Sequence, residues 1–572
     1  MNPFERAVAE IVAPQSGLDA AEVARLLEVP RDPKLGDYAF PCFQLAKREK
    51  KAPPVIAADL AKRVEPKGLV LSVEAAGPYV NFRVDGTKRA ALVLGAVLKE
   101  GGRYGESDEG KGRTVAIDFS SPNIAKPFSI AHLRSTVIGH ALYNVHRALG
   151  WTCVGINHLG DWGTQFGKMM VAYRRWWDSM PATETDPVRK LLALYVRFHE
   201  EAERDKSLEE EGRAWFKKLE DGEKEARDLW KRLTDLSLKE FQRIYDRLGI
   251  RFDHFTGEAF YNDKLDAALE KIEAKGITKI SEGALVVDLE EWGMPPALLR
   301  KSDDATLYMT RDLAALEYRH DQYRFDRALY VVGSDQILHF RQLFKVAELM
   351  GWTWAEGARH VNFGLYRFKE GKMSTRQGRV VFLEEVLDRA VELAAATIRE
   401  KNPDLKDAER IAEEVGLGAV VFNDLKTGRT KDVVFDWEQV LSFEGRTGPY
   451  LQYTAARIAS ILRKHGAPPD PGADLSLLAE PEEKEIVRSL ERFPSAIAAA
   501  AEECEPSKLA NALLDLGEFF NAYYNRGNQD ASLRVLTPDE RMKSARIVLA
   551  AAVLQVMKKG LDLLGMKTPE EM

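Results

Sequence analysis

A strand–helix–strand unit early in the chain constrains the fold most strongly. Residues 114–119 (TVAIDF) are β-branched and apolar apart from Asp118. A polar turn follows, and apolar residues then recur at helical spacing from Ile130 to Leu149, with Gly150 placed to end the helix. The next segment, TCVGINHL, again has the composition of a strand. This βαβ unit predicts an α/β fold with a doubly wound, Rossmann-type parallel sheet, and a ligand site at the carboxyl ends of its strands.

The regions around this unit differ from it in character, so we expect several domains. The N-terminal region mixes helical patterns with the strand-like AAGPYVNFRV and ends in the Gly-rich, charged segment GGRYGESDEGKGR. The α/β pattern then continues, interrupted by a charged helical stretch at 173–249 and by a piece that includes the strand GALVVDL. We predict a small α+β domain, a Rossmann-type domain with helical insertions, a helical stem and an all-α bundle, at 1–105, 106–384, 385–440 and 441–572.

Composition excludes several classes of protein. The chain has 572 residues, with 82 Lys and Arg against 89 Asp and Glu, and its net charge of −7 argues against a non-specific polycation. Its three cysteines, Cys42, Cys153 and Cys504, form no close metal-binding pair and suit a reducing compartment. No apolar run approaches about 18 residues, and the first residues lack the apolar core of a signal peptide. We therefore expect a cytoplasmic protein without a membrane span.

The turn after the first strand gathers polar side chains at the predicted ligand site. Asp118 ends the strand, Asn123 lies in the turn, and Ser129 and His132 begin the next helix. Backbone N–H groups at a helix N-terminus favour phosphate, and an imidazole there can donate a hydrogen bond to it. The structural interpretations are a local hydrogen-bonding role for His132 and a capping or ion-pair role for Asp118. An acid that ends an apolar strand is costly unless it is paired.

A second candidate is the loop sequence GKMSTRQG at 371–378. Its two glycines bracket Lys372, Ser374 and Arg376. A mobile cationic loop of this kind suits closing over a triphosphate and stabilising a departing pyrophosphate, although an ordinary surface turn has the same spacing. The spacing differs from that of a Walker A loop, and G-x-G-x-x-G does not occur, so dinucleotide binding has no support.

A third cluster lies in LYMTRDLAALEYR and YVVGSDQILHF. Tyr308 and Asp312 are four residues apart and would share one face of a helix. They could equally be a half-buried core residue and an N-terminal helix charge.

Together these motifs resemble class I aminoacyl-tRNA synthetases, and more narrowly arginyl-tRNA synthetases. The ATP motifs are SSPNIAKPFSIAHLRST and GKMSTR, and the narrower match depends on GDYAFPCFQLAK, NHLGDWGTQFG, LYMTRDLA and FEGRTGPYLQYTAARI. KSAR at 543–546 and the ending GLDLLGMKTPEEM also fit. The resemblance extends from about residue 35 to the C-terminus.

The resemblance implies a reaction and a set of site residues. L-arginine would be activated with ATP and Mg²⁺ to arginyl-adenylate, and the arginyl group would pass to the 3′ adenosine of tRNA(Arg). The ATP-binding positions would be Ser129, His132, Lys372, Ser374 and Arg376, with Ser129, His132 and Lys372 also catalytic. The arginine-binding positions would be Asp118, Asn123, Tyr308, Asp312 and Gln336. Carboxylates and neutral acceptors suit a guanidinium, which only donates.

The resemblance also implies tRNA contacts at the elbow, by the N-terminal domain, and at the anticodon, by the bundle. Because the chain is acidic overall, these contacts must depend on local cations and on aromatic side chains that stack on loop bases. The candidates are Tyr450, Tyr453, Arg457 and Tyr524, although we expect most aromatic side chains of these helices to pack the bundle.

Two departures from the class I pattern leave alternatives open. Ser129 and Ala131 stand where many members have His and Gly, and Arg376 replaces an expected Lys. The alternatives are a nucleotidylyltransferase, a synthetase for another amino acid, or a non-catalytic RNA-binding protein. Because a site built for a guanidinium rejects analogues that lack it by about 10⁴–10⁵, we expect no editing activity. We also expect a monomer without a protein metal site.

Overall fold

The computed structural model describes residues 2–30, 32–180, 187–302, 308–367, 381–434, 436 and 445–572. Its helices are α1 Pro3–Ser16, α2 Ala20–Leu26, α3 Phe43–Glu49, α4 Pro53–Arg63, α5 Gly86–Glu100, α6 Ile130–Ala148, α7 Thr164–Trp176, α8 Pro187–Arg204, α9 Ser207–Glu220, α10 Lys224–Leu248, α11 Leu265–Ala274, α12 Tyr308–Tyr323, α13 Ile337–Leu349, α14 Leu383–Lys401, α15 Ala408–Leu425, α16 Gly448–His465, α17 Pro481–Glu502, α18 Ser507–Gln529 and α19 Glu540–Leu563. Its strands are β1 Tyr38–Pro41, β2 Val70–Ala76, β3 Tyr79–Val84, β4 Thr114–Asp118, β5 Thr152–Asn157, β6 His254–Phe255, β7 Thr278–Ser281, β8 Ala284–Val287, β9 Ala297–Arg300, β10 Arg327–Tyr330, β11 Ala358–His360, β12 Tyr366–Arg367 and β13 Val433–Val434.

The chain divides into two compact units. The first contains Met1–Tyr104, Arg457–Ser495 and Asp515–Met557, and the second contains Gly105–Ala456, Ala496–Leu514 and Lys558–Met572. The predicted four-domain division stays a prediction. In the described part of the chain, no helix is long and apolar enough to cross a bilayer.

A parallel sheet with the strand order β11-β10-β4-β5-β6 forms the centre of the second unit. Strand β4 is buried from Val115 onwards because its side chains are apolar on both faces. The chain proceeds outwards from β4 to β5 and β6 on one side, and later to β10 and β11 on the other. The strand order therefore reverses between β4 and β10, which confirms the predicted doubly wound sheet.

Helix α6 packs closely against the end of β4, as the βαβ pattern predicts. A side chain at Gly139 would come within 2.2 Å of Phe119, so only glycine fits at this crossing. The buried apolar residues of α6 recur at the predicted helical spacing, from Ile130 to Val145. The approach holds the N-terminus of α6 beside the turn that follows β4.

The insertions into the sheet domain take two forms. Helices α7 to α10 occupy most of the stretch predicted to be helical. The strand predicted within GALVVDL is β8, which lies in a separate antiparallel sheet with β7 and β9. Strand β11 is short and ends at His360. Beyond it, Phe363 forms only an isolated bridge with Gly333.

The first unit contains a three-stranded antiparallel sheet, β1-β3-β2, and a buried ionic network. Arg89 on α5 lies 2.9 Å from both Asp37 Oδ1 and Glu491 Oε2, and all three side chains are less than a tenth exposed. The Tyr38 hydroxyl donates to the same Glu491, on α17. The GDYAF motif therefore joins the N-terminal sheet to a C-terminal helix.

Candidate active site

The candidate site lies where the strand order of the parallel sheet reverses. Asp118 at the end of β4 pairs in register with Tyr330 of β10 on one side and with Ile156 of β5 on the other. Asn157 ends β5, and His158 follows it. In doubly wound sheets the crevice at this point is where ligands bind.

Asp118 is paired with a cation of the chain itself. Arg319 Nη2 on α12 lies 2.8 Å from Asp118 Oδ2, and the two side chains are 2% and 8% exposed. The other carboxylate oxygen accepts a hydrogen bond from Ser121 Oγ at 2.9 Å. The structure thus places Asp118 in the site, with its charge already balanced.

The turn after β4 has an unusual backbone. Ser120, Ser121 and Ala125 have φ of 72°, 47° and 59°, in the left-handed region that L-residues rarely occupy. The Ser120 N–H donates to Ser135 Oγ at 2.9 Å, and the Ala125 N–H donates to Ser237 Oγ at 2.9 Å. Strained backbone of this kind persists where the surroundings fix it, and it is typical of functional sites.

The same turn is held against the loop after β5. Asn123 bridges Gly160 in a parallel arrangement, and the Ile124 N–H donates to the Gly160 carbonyl at 3.0 Å. A side chain at Gly160 would come within 2.5 Å of Asn123 Oδ1. The first glycine of NHLGDWG therefore makes room for Asn123, which is half-buried in the site.

The start of α6 fixes the tautomer of His132. The backbone N–H of Ser129 donates to His132 Nδ1 at 3.1 Å, so the ring proton lies on Nε2. Burial lowers the pKa of His132 to about 4, opposed by the hydrogen bond from Ser129. At neutral pH the imidazole is therefore a neutral group whose remaining capacity is one N–H donor.

A group of acids lies on the other side of the site. His339 Nε2 lies 2.6 Å from Asp312 Oδ2, and both side chains are about a quarter exposed, at 24% and 28%. Glu258 follows β6; its side chain is 18% exposed and forms a long ion pair with Arg311 Nη1, at 4.0 Å. Burial raises the pKa of Glu258 to about 7; Arg311 opposes the shift, and the charges of Asp312 and Asp161 add to it. The ion pair with Arg311 is therefore too weak to offset the burial of Glu258.

Two residues connect the acids with the rest of the site. The pKa of His158 is lowered by burial and raised by the charges of both Asp118 and Asp312, so the three lie within electrostatic range of one another. Lys126 acts on the pKa of both His132 and Glu258. Of the predicted residues, His132 of the phosphate-binding set therefore lies within electrostatic range of the group of acids that contains Asp312, of the guanidinium-binding set.

The remaining arginine-binding candidates lie at helix starts. Tyr308 is the first residue of α12 and is 64% exposed. Its pKa is raised by burial, and then by the charges of Glu258 and Asp312, which places its ring near both acids. Gln336 is exposed at the end of the short 3₁₀ turn Ser334–Gln336, immediately before α13.

The ATP-binding candidates Lys372, Ser374 and Arg376 lie outside the described residues. The chain on the C-terminal side of their segment is attached to the start of α6. The Ile130 N–H donates to the Val381 carbonyl at 3.0 Å, and the Leu383 N–H donates to the Phe128 carbonyl at 2.9 Å.

The tRNA-binding candidates lie on helices of the C-terminal region. On α16, Tyr450 is half-buried and Tyr453 is 45% exposed. In the first unit, the Arg457 guanidinium lies 4.6 Å from the centre of the Tyr524 ring. A cavity of about 160 Å³ opens beside this pair, lined by Tyr523, Tyr524, Lys464, Asn528 and Arg534 among others. The neighbouring Tyr523 is only 1% exposed and packs the bundle, as expected for most of these aromatics.

Several site residues were missed by the sequence reasoning. They are Glu258, His339, Arg319, His158 and Tyr330, all within the crevice described above. An acid soon after a strand of the parallel sheet is the signal that could have revealed Glu258, but β6 is only two residues long. Among the described ranges, no group of three or more His, Cys, Asp or Glu side chains could hold a metal ion.

Comparison with known proteins gives consistent matches along the whole chain. Residues 2–84 match the family described as arginyl tRNA synthetase N terminal domain, residues 93–437 match tRNA synthetases class I (R), catalytic domain, and residues 451–572 match DALR anticodon binding domain. The chain is 47% identical to the arginine–tRNA ligase of Halothermothrix orenii over 100% of both chains. It is 48% identical to the arginine–tRNA ligase of Clostridioides difficile over 97% of both chains. The solved Thermus thermophilus arginyl-tRNA synthetase superposes with a TM-score of 0.84, at 29% identity, over 100% of both chains.

Proposed function

The chain belongs to the arginyl-tRNA synthetase family and is an arginine–tRNA ligase, and on this premise we propose how its crevice binds the substrates. Arginine lies with its guanidinium towards Glu258, Asp312 and Tyr308. Its carboxylate points towards the start of α6, where ATP places its phosphates. Asn123 and Gln336 form hydrogen bonds with the polar groups of the arginine backbone. The two reacting groups then meet at the reversal point of the sheet.

The main support for this arrangement is the burial of Glu258 and the raised pKa of its carboxyl. Glu258 is a partly buried carboxyl whose ion pair with Arg311 is long, at 4.0 Å, and burial raises its pKa to about 7, so a further counter-charge would stabilise its ionised form. A guanidinium between Glu258 and Asp312 supplies that charge and satisfies both carboxylates with its donors. Asp118, already paired with Arg319, then acts mainly by holding α12 and its acids against β4.

The phosphate side of the site depends on fixed donors. The N-terminus of α6 presents the positive end of the helix dipole, and His132 adds its Nε2–H. Ser129 supports this arrangement through its contact with the imidazole ring, and the hydroxyl of Ser374 and the cations Lys372 and Arg376 are assigned to the phosphates from the motif alone. Mg²⁺ would arrive on the triphosphate oxygens, where it neutralises charge.

The reaction needs positioning more than a protein nucleophile. An arginine carboxylate oxygen forms a bond with the α-phosphorus of ATP as the bond to the bridging oxygen of pyrophosphate breaks. Negative charge that builds on the phosphates is stabilised by donors already in place at the start of α6. The 3′ adenosine hydroxyl of tRNA(Arg) then attacks the carbonyl carbon of arginyl-adenylate, and AMP leaves.

The tRNA contact in the first unit is assigned to the cavity beside Tyr524. A cavity of about 150 Å³ is large enough for a benzene-sized ring, so this one can receive part of an unstacked base. Tyr524 offers a stacking face, while Lys464 and Arg534 supply cations for the backbone. Arg457, Tyr450 and Tyr453 are proposed as further tRNA contacts, and the N-terminal domain as the elbow contact, from the sequence motifs alone. We also propose a monomer that acts in the cytoplasm, in keeping with its three free cysteines.

Arginine-dependent ATP–pyrophosphate exchange, with and without tRNA(Arg), tests the arrangement. Glu258→Gln and Asp312→Asn should each raise the KM for arginine and leave the KM for ATP within twofold of wild type. Glu317→Gln is the matched control, because Glu317 lies on the same helix as Asp312 with a 22% exposed side chain and pairs with Lys271. Exchange that proceeds without arginine would indicate a nucleotidylyltransferase. An unchanged KM for arginine in both variants would remove the assigned site.

A further inference from the structure

A fully buried arginine lies two residues beyond His132. The side chain of Arg134 is 1% exposed, and its Nη1 donates to the carbonyl oxygens of Gly364 and Lys431 at 2.8 Å and 2.7 Å. Its Nε lies 3.3 Å from the carboxylate of Asp424, near the end of α15. One side chain of α6 therefore contacts two separate later segments of the chain.

Asp424 also contacts Tyr366. The Asp424 side chain is completely buried, and its Oδ2 accepts a hydrogen bond from the Tyr366 hydroxyl at 2.6 Å. Burial raises the pKa of both groups, and the charge of Arg134 counteracts this for each of them. The tyrosine thus remains protonated and donates, while the arginine favours the charged form of the carboxyl.

The position of Tyr366 relates the contacts of Arg134, Asp424 and Tyr366 to the segment that contains Lys372. Tyr366 belongs to β12, which pairs in parallel with β13 at Val433. The segment that contains Lys372 begins directly after β12, at residue 368, and the described chain resumes at Val381, bonded to Ile130 of α6. Both flanks of that segment are therefore attached to α6 within its first two turns, one through Arg134 and the other through the backbone.

We infer that Arg134, Asp424 and Tyr366 are positioning residues for adenylate formation, which set the strand before the Lys372 segment relative to His132. Stability alone is a weak reason to bury an ion pair, because the desolvation of both charges offsets much of their attraction. A buried guanidinium that also fixes two backbone carbonyls determines where those segments lie. The inference rests on the roles proposed for His132 and Lys372.

Tyr366→Phe is the sharpest test, because it removes one hydroxyl and keeps the ring. Arginine-dependent pyrophosphate exchange in the presence of tRNA should show a kcat lower by up to about 10²-fold, since small displacements of reacting groups cost that much. The KM for arginine should stay within twofold of wild type. Tyr104→Phe is the matched control, because it removes another buried tyrosine hydroxyl that donates a hydrogen bond, in this case to the Leu490 carbonyl at 3.0 Å in the first unit.

A double variant separates positioning from general loss of structure. If Tyr366 acts through Lys372, Tyr366→Phe should slow the wild type and leave Lys372→Ala no slower than it already is. An equal loss of kcat in the wild-type and Lys372→Ala backgrounds would overturn this inference and leave the proposed function intact. A wild-type kcat for Tyr366→Phe would do the same. Wild-type exchange by Lys372→Ala would refute the role of Lys372, and the inference with it.

Arg134→Lys keeps the test decisive if Tyr366→Phe folds poorly. Lysine retains the charge beside Asp424, but it cannot direct donors to two carbonyls and a carboxylate at once. Arg134→Lys should show the same fall in kcat. Unchanged tRNA(Arg) binding in a filter assay would show that the variant is folded. A variant that binds tRNA normally and exchanges pyrophosphate at the wild-type rate would contradict the inference.

Discussion

The carboxylate of Asp118 already holds a guanidinium, because Arg319 Nη2 lies 2.8 Å from its Oδ2 within the crevice. The sequence suggested that an acid at the end of a buried strand needs a cation, and the structure supplies that cation from α12. The pair fixes α12 against β4. Since α12 also carries Tyr308 and Asp312, the internal ion pair fixes the helix on which the proposed arginine-binding residues stand.

Arg319→Gln and Asp118→Asn should each destabilise the protein by about 3–5 kcal/mol. Either change leaves the other charge buried without its partner, and the guanidinium of Arg319 cannot lose its charge by giving up a proton. The midpoint of urea unfolding, followed by tryptophan fluorescence, gives the comparison. The double variant should regain part of the stability that Arg319→Gln loses. Additive losses in the double variant would show that the two side chains do not interact.

Arginine binding should weaken as the pH falls below 7. Burial raises the pKa of Glu258 to about 7 before arginine binds, and the guanidinium binds the ionised form. Below that pKa the binding constant should fall by about tenfold per pH unit, and above it the constant should level off. Calorimetric titration with arginine between pH 5.5 and 8.5 measures this. Glu258→Gln should bind more weakly and with a flat profile; a flat profile for the wild type would exclude the role.

His132→Ala should lower the kcat of pyrophosphate exchange by roughly 10²–10³, the usual cost of losing one donor fixed in advance. The KM for arginine should be unaffected, because the ring serves the phosphates. His132→Asn should retain more activity, since an amide can still accept from Ser129 N–H and donate elsewhere. With the pKa of His132 lowered to about 4 by burial, the kcat should show no inflection from this group between pH 5.5 and 8. Undiminished exchange by His132→Ala would remove its assigned role.

The sheet and the start of α6 could be predicted from sequence because their signals are local. A β-branched strand, a polar turn and a helical apolar pattern follow one another within 114–157. The partners of the site residues could not be predicted, because they come from elements far away in the chain. Arg319 reaches Asp118 from α12, and Glu258 follows β6, a strand too short to give a pattern.

Tyr524→Ala should weaken tRNA(Arg) binding by about 5- to 150-fold, because stacking on one aromatic side chain contributes roughly 1–3 kcal/mol per base. Its ring borders the cavity of about 160 Å³ and stacks with the Arg457 guanidinium, so truncation removes both the platform and the contact that holds it. Tyr524→Phe keeps the ring and should bind within twofold of wild type. Equilibrium binding of the uncharged tRNA(Arg) transcript at fixed salt measures the effect, since phosphate contacts vary steeply with ionic strength. If Tyr524→Ala binds as the wild type does, or Tyr524→Phe binds as weakly as Tyr524→Ala, the cavity does not receive a base.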